Sequence, residues 1–429
     1  MANAFKDQSL VEKAVAVRWK ALDGIIDHIN WDNSLVSGKR NTGFSTTKRR
    51  ASRVRSTITS TGTSYALPGT TQPAISYSDL SDAVVPINVT NRIEANIQAS
   101  MEELTFHLDR NDVVDRFIDP MIVSIKDQVN LHLAQMVSQM QGATVVKGTA
   151  YSNYAQDFQA ALGSARALGI QRGGFKGSEE KLLLAHMGVM PQVGPSAATV
   201  YHYGDGLERA QANGTPQQSL AGFRLYESPL LPKATAPAQP GSLSVAAPSG
   251  TVTNGVASGY ATTFQVNLAN AAASTTYKAG TILAFTGVNW IVPTTQQDTG
   301  VQATFVLTAD ATSDSSGNVT VTLAEALIYG GDMRNTTLTT AIPTSTTVSI
   351  IKAGATQQPS FAFVKDAILG SSVDIMLPKG VPFAKSYNFK GFQFALIEDR
   401  WPGTLQNIIK VVGFYGVTVL MPEGVIQIL

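Results

Sequence analysis

The feature that most constrains this chain is a long stretch without charge in its second half. Residues 234–277 contain no charged side chain and consist mainly of Thr, Ala, Ser, Gly and Val. Short runs of alternating apolar and polar residues recur from there to about residue 352: FQVNL, TILAF, VNWIV, ATFVLT, NVTVTL and TTVSII. Alternation with period two predicts strands, and several short strands separated by turns predict a small β-barrel or sandwich.

The residues on either side of this all-β segment predict helices as well as strands. Apolar residues at spacings of three and four predict an amphipathic helix over 8–31 and a long one over 112–141. A further helix is predicted over 153–170, ending at Gly173 and Gly174, and a buried strand with a turn over 182–191. Strands are also predicted at the C-terminus, NIIKVVGFYGVTVLM and EGVIQIL. The pattern therefore indicates an α+β protein interrupted by a β insertion, which a surface loop with neighbouring ends accommodates best.

A protruding β-hairpin is predicted over residues 51–98. Its return arm, PINVTNRIEANI (86–97), places Ile87, Val89, Ile93 and Ile97 on one side and polar residues on the other. The tip is rich in Gly, Pro, Ser and Thr, as turns are. Because an isolated two-stranded ribbon is marginally stable in water, this hairpin is expected to lie against another surface.

A basic run precedes the hairpin. Residues 39–55 carry no acidic side chain and seven basic ones: Lys39, Arg40, Lys48, Arg49, Arg50, Arg53 and Arg55. Three interpretations are a solvated arm, a contact with an acidic face of a neighbouring subunit, and a contact with nucleic acid. Phe44 is the run's single aromatic residue and the net charge of the chain is +1, which disfavours the third. We expect Lys48, Arg49, Arg50, Arg53 and Arg55 at a subunit interface, with inner-surface DNA as an alternative for Lys39 and Arg40.

Four aspartates flank the apolar face of the predicted long helix: Asp109, Asp112, Asp115 and Asp119. Acids gather at helix starts because they suit the helix dipole and the free N–H groups, so this position alone explains them. Two alternatives are an acidic docking face, which would complement the basic run, and a metal or acid/base cluster. We keep the four aspartates as candidate subunit-interface residues.

Motifs of catalysis are absent from the sequence. There is no cysteine, no paired-ligand spacing among the five histidines, no phosphate-binding glycine loop and no nucleophile elbow. We therefore expect no enzyme activity, no cofactor and no metal. Charged residues near the N-terminus and the lack of an apolar run of about 18 residues predict a soluble protein made in the cytosol, without a membrane partner. Charged residues make up only 15% of the chain, and the near-zero net charge favours association.

Three short segments and the order of elements resemble a known family. The segments are AGFRLYESPLLP (221–232), FYGVTVLMPE (414–423) and the helical stretch from Asn130 to Met140. Together with the predicted order, they resemble the major capsid proteins of tailed double-stranded-DNA bacteriophages, which have the Hong Kong 97 fold. Among these, the chain is similar to the insertion-domain-bearing coat proteins of the Salmonella temperate podovirus type.

The resemblance implies an α+β capsid fold with an inserted, barrel-like β domain. Its parts would be an N-terminal arm and helix (1–38), a basic segment with an extended hairpin loop (39–98), a peripheral domain with a spine helix (99–149), an axial domain (150–232), the insertion (233–352), and the completion of the axial and peripheral domains (353–429).

The resemblance also implies a function. The chain would form pentamers and hexamers of an icosahedral shell around double-stranded DNA, with a scaffolding protein, a portal and a decoration protein as further partners. Its location would be the virion capsid, after assembly in the host cytoplasm. The competing hypothesis is a β-rich fibre, decoration or receptor-binding protein of the virion, with 233–352 as its binding module.

Overall fold

The structure is a computed structural model, and it describes most of the chain. The described residues are 8–21, 24–32, 45–50, 83–100, 116, 118–148, 154–177, 179–186, 189, 219–250, 252–259, 261, 264–400 and 406–429. Within them, the α-helices are α1 (Gln8–Ala21), α2 (Asp119–Gln139) and α3 (Tyr154–Gln171).

The strands of the described residues range in length from two to 14 residues. They are β1 (Asn30–Asp32), β2 (Ser45–Arg50), β3 (Ala83–Asn88), β4 (Asn91–Ser100), β5 (Ala143–Val145), β6 (Lys181–His186), β7 (Ser219–Leu220), β8 (Phe223–Ser228), β9 (Ala234–Thr235), β10 (Ser244–Val245), β11 (Phe264–Ala269), β12 (Thr276–Tyr277), β13 (Ile282–Ile291), β14 (Asp298–Val306), β15 (Ala311–Thr312), β16 (Val319–Leu323), β17 (Val348–Ile350), β18 (Thr356–Gln357), β19 (Ser360–Val364), β20 (Ile368–Ser372), β21 (Phe383–Phe389), β22 (Phe392–Arg400), β23 (Gln406–Val419) and β24 (Val425–Ile428).

The first large sheet, sheet A, is built around the long strand β23. Its order is β1-β20-β23-β22-β21, and β4 also pairs with β23. Helix α1 packs on this sheet through Trp19, whose ring stacks on Phe389 at 5.4 Å and on Phe392 at 5.5 Å. Apolar side chains of α2, among them Ile122 and Val129, are buried in the same core. Sheet A thus joins the N-terminal helix, the long helix and the C-terminal strands.

The second large sheet, sheet B, has the order β5-β24-β19-β6-β8-β7. Strand β6 is buried along its whole length, as the apolar run at 182–191 predicts. Helix α3 buries its apolar face, which includes Phe158, Leu162 and Leu168. The helix ends where predicted: the amides of Gly174 and Phe175 both donate to the carbonyl of Gly169. Gly173 has a φ of 75°, which favours glycine.

Between β8 and β19 lies the all-β stretch, residues 233–352, which we refer to as the β segment. Its larger sheets are β10-β11-β16 and β14-β13-β17. The sheet β14-β13-β17 carries the buried Trp290 and Phe305, whose rings lie 5.1 Å apart. The two ends of the segment are close together, because β9 pairs antiparallel with β18 just beyond residue 352.

One prediction within the β segment is wrong in detail. TILAF and VNWIV are not two strands but parts of the single strand β13. Gly287, with a φ of 78°, interrupts the run, and the pairing with β14 shifts register between Ala284 and Asn289. The chain therefore bulges there and continues in the same sheet instead of turning back.

The predicted helix over 8–31 is too long. Helix α1 ends at Ala21, and the chain continues as a 3₁₀ turn (Ile25–Asp27) and the strand β1. The side chain of Asn130 in α2 accepts a hydrogen bond from the Ile26 amide at 3.1 Å, and a Cβ at position 24 would collide with Asn130. Strand β1 then pairs in parallel with β20. These long-range hydrogen bonds replace those that a continuing helix would make.

The predicted hairpin is also divided differently. Its return arm forms two strands, since β3 pairs with β2 whereas β4 pairs with β23 of sheet A. The predicted alternation is present: Ile87 and Val89 are buried, and Ile93 and Ile97 are partly buried in the core. Strand β2 starts at Ser45, so the strand pair begins within the basic run. Residues 51–82, with the predicted tip, lie outside the described residues.

Candidate functional site: the root of the basic strand pair

The basic run enters the described structure as strand β2. Its pairing with β3 places Lys48 opposite Val85, Arg49 opposite Val84 and Arg50 opposite Ala83. Because side chains alternate along a strand, Arg49 points to the opposite face from its two basic neighbours. Arg49 is exposed, Lys48 is half-buried and Arg50 is buried.

Arg50 has an ionic partner in its own chain. Its guanidinium pairs with the carboxylate of Glu423, and the two side chains are only 5% and 6% exposed. Glu423 belongs to the 3₁₀ turn Pro422–Gly424, which leads into β24. The charge of Arg50 is therefore buried within its own chain, which argues against the predicted contact of Arg50 with a neighbouring subunit.

The turn that carries Glu423 packs closely against the backbone of two glycines. A Cβ on Gly142 would meet the carbonyl of Pro422, and one on Gly174 would meet the carbonyl of Glu423. These close backbone approaches leave no room for a side chain at either position. The start of β5, the end of α3 and the last residue of β2 thus converge on one turn.

Lys48 also has a partner in its own chain. Its ammonium lies 3.1 Å from a carboxylate oxygen of Asp32, at the end of β1. The two pairs, Lys48 with Asp32 and Arg50 with Glu423, tie one face of β2 to both large sheets. The other face carries Arg49 together with Val84, which is 50% exposed. We call this second face the outer face of the strand pair.

Of the four aspartates that were predicted at a subunit interface, Asp119 is the one that lies among the described residues. It lies in the first turn of α2, followed by Pro120, and one of its carboxylate oxygens is 3.5 Å from the guanidinium Nε of Arg18 in α1. This position is that of an acid at a helix start. Lys39, Arg40, Arg53, Arg55, Asp109, Asp112 and Asp115 lie outside the described residues.

A further charged residue, which the sequence analysis missed, is buried beneath α1. Lys126 in α2 is fully buried; its Nζ lies 2.7 Å from a carboxylate oxygen of Asp27 and donates to the Trp19 carbonyl at 2.7 Å. The sequence feature that could have indicated this burial is the position of Lys126 beside Ile125 and Ile122 on the apolar face of the helix. Through these contacts, Lys126 fixes the C-terminal part of α1 against α2.

The face of α2 towards sheet A also holds a buried polar pair, His132 and Tyr415. The Tyr415 hydroxyl lies 3.0 Å from His132 Nδ1. Burial raises the pKa of Tyr415 to about 12 and lowers the pKa of His132. Burial thus favours the neutral forms of both groups, which share this hydrogen bond. This pair joins α2 to β23.

Metal and membrane features are not found in the described residues. These contain no group of three or more His, Asp or Glu side chains placed to hold a metal ion. Of the helices in the same residues, none is long and apolar enough to cross a membrane.

Solved structures similar to this chain include capsids of phages. The capsid of the cyanophage P-SCSP1u shares 12% identity over 94% of this chain and 86% of its own, with a TM-score of 0.46. A structure of Mycobacterium phage Che8 shares 10% over 93% and 88%, with a TM-score of 0.44. The mature capsid of bacteriophage PhiM1 shares 12% over 94% and 85%, with a TM-score of 0.43. Scores at this level do not establish a shared fold in detail.

A family model identifies the chain. The model described as "P22 coat protein - gene protein 5" matches residues 20–394, which is most of the chain. This match places the protein in the class of capsid shell proteins. Within that class, the chain belongs to the P22 coat protein family and is a major capsid protein of the virion. Among curated proteins, none matches the chain.

Proposed function

We propose that copies of this chain form the pentamers and hexamers of an icosahedral shell that encloses double-stranded DNA. Membership of a coat protein family carries this proposal. Closed shells arise when symmetry repeats a few interfaces between identical chains. Such an assembly requires no catalytic step, no cofactor and no membrane. A scaffolding protein, a portal and a decoration protein are the proposed further partners, and the proposed place of assembly is the host cytoplasm.

The domain organisation is proposed to follow the Hong Kong 97 pattern. Residues 1–38 form the N-terminal arm and 39–98 the extended loop region. The peripheral domain spans 99–149 with α2 as its spine helix, and the axial domain is formed by 150–232 and completed within 353–429. The β segment is the inserted domain, which the pairing of β9 with β18 supports because it brings the two ends of the segment together.

The subunit contact is proposed to use the outer face of the strand pair. Arg50 pairs with Glu423 of the same chain in a buried ion pair, which orients the loop. Lys48 pairs with Asp32 but keeps 43% of its side chain exposed, so it remains a candidate for the subunit contact. Arg49, on the outer face beside the exposed Val84, is directed away from them. Arg49, Arg53 and Arg55 would meet an acidic surface of the adjacent subunit, with Asp109, Asp112, Asp115 and Asp119 as its candidate residues. Lys39 and Arg40 are the candidates for DNA contact on the inner wall.

Charge reversal on the outer face tests this contact. The double variant Arg49→Glu with Arg53→Glu should reduce the yield of shells at least tenfold, because like charges would meet at every copy of the interface. The unassembled chain should keep its circular dichroism spectrum, since Arg50 is retained. Sedimentation through a gradient measures the yield. The matched control reverses the exposed residues Lys278 and Lys379. Shell yield equal to that of this control would rule out the proposed contact.

A further inference from the structure

The β segment meets the rest of the chain around one buried arginine, Arg172, just after α3. Its guanidinium Nη2 donates to both carboxylate oxygens of Glu325 in the β segment, each at 2.7 Å. Nη1 donates to the Gly142 carbonyl, also at 2.7 Å. The guanidinium carbon lies 3.7 Å from the centroid of the Trp290 ring. One side chain therefore binds the backbone outside the segment and both a carboxylate and an aromatic ring inside it.

The partners of Arg172 are buried and held in place. Arg172 is 3% exposed, Glu325 is 5% exposed and Trp290 is fully buried. Asn335 donates to Glu325 Oε1 at 3.1 Å and to the Ala326 carbonyl at 2.8 Å, which orients the carboxylate towards the arginine. A planar guanidinium suits this site because it can form the paired hydrogen bonds and stack on the ring at the same time.

Other contacts between the two parts lie at β5 and at the C-terminus, in addition to the pairing of β9 with β18. The Thr144 amide in β5 donates to the Thr304 hydroxyl in β14 at 2.8 Å. Leu429, the last residue, packs on Ile282 and Val306 of the β segment. A small apolar contact alone allows sliding, whereas buried hydrogen bonds between fixed groups permit one orientation.

We propose that Arg172 is the positioning residue that fixes the orientation of the β segment on sheet B. The proposal rests on the proposed function, in which the segment is a separate inserted domain. In a shell, this orientation decides where each copy presents its inserted domain. Loss of the arginine should leave both parts folded and should loosen the boundary between them.

Hydrogen exchange of the full chain, measured by NMR or by mass spectrometry of overlapping peptides, tests the proposal. Boundary amides are those of Thr144 and of Ala236, which donates to the Ala355 carbonyl. Interior amides are those of the ladder between β11 and β16. In Arg172→Met, boundary amides should exchange at least tenfold faster while interior amides keep their rates. Glu325→Gln changes the partner of Arg172 within the β segment and should give the same pattern of exchange. This variant replaces Arg172→Met in the test if Arg172→Met does not fold.

The control removes an exposed cation of the β segment. Lys278→Met breaks the ion pair with Asp310, whose partners are 64% and 51% exposed, and should leave both sets of amides unchanged. Faster exchange of interior amides in Arg172→Met would overturn the proposal, because Arg172 would then support the core of the segment. Unchanged boundary amides would also overturn it. If the unaltered chain exchanged its β segment and its large sheets at one common rate, the separate inserted domain would itself be contradicted, which distinguishes the two failures.

Discussion

Arg50 and Glu423 lie 373 positions apart in the chain and meet in a buried ion pair. Removing two charges from water is costly, so such a pair is tolerated when both charges are matched. Because Arg50 is the last residue of β2, the ion pair fixes this end of the strand pair to the turn at Glu423. At the scale of single residues, the described part of the basic run thus includes Lys48 and Arg50, which pair with acids of their own chain, and Arg49, which lies on the outer face.

The Arg50 pair gives a prediction for stability. Arg50→Met should lower the free energy of unfolding by about 3–5 kcal/mol, because Glu423 would keep a buried charge without its arginine. The double variant Arg50→Met with Glu423→Leu should recover most of this loss. Urea denaturation of the unassembled chain measures both. As a control, Lys278→Met breaks an exposed pair and should cost no more than about 1 kcal/mol. A single variant as stable as the control would contradict the inferred role of the pair.

Elements that are set by local periodicity were predictable from the sequence. Helix α3 was predicted over 153–170 and lies at Tyr154–Gln171, and β6 was predicted from a continuous apolar run. The end of α1 was not predictable in this way, because distant partners in α2 and β20 determine the backbone after Ala21. The same holds for the candidate site. The basic run could be identified in the sequence, but its partners Asp32 and Glu423 could not, because they become neighbours of the run only in the folded chain.

Packing between elements gives a prediction at two glycines. Gly174→Ala should destabilise the fold by about 1–3 kcal/mol, because the added Cβ would push the turn at Glu423 away from the end of α3. Gly163→Ala, on the exposed face of α3 with open space around the site, should instead stabilise the chain by up to about 1 kcal/mol through helix propensity. Thermal unfolding of the unassembled variants measures both shifts. Equal shifts of the same sign would contradict the proposed packing of the turn.

At the scale of the whole molecule, sheet A contains the first strand, β1, and sheet B contains the last strand, β24. The β segment lies between β8 and β19 of sheet B. The weakly charged composition is consistent with a chain that buries much of its surface against copies of itself. An outward basic face on a ribbon tied down at its base is suited to a contact that is repeated around a shell. The pairs of Arg50 with Glu423 and of Lys48 with Asp32 would set its direction, and Arg49 would meet the neighbour together with Arg53 and Arg55.

The most direct test of this account is an image of what the purified full-length chain assembles into. Electron microscopy, with sedimentation of the same sample, should show closed shells or the pentamers and hexamers from which shells are built. Shells should be lost on reversing Arg49 and Arg53 and kept on reversing Lys278 and Lys379. A sample that contains only monomers or trimers under conditions of assembly would contradict the account.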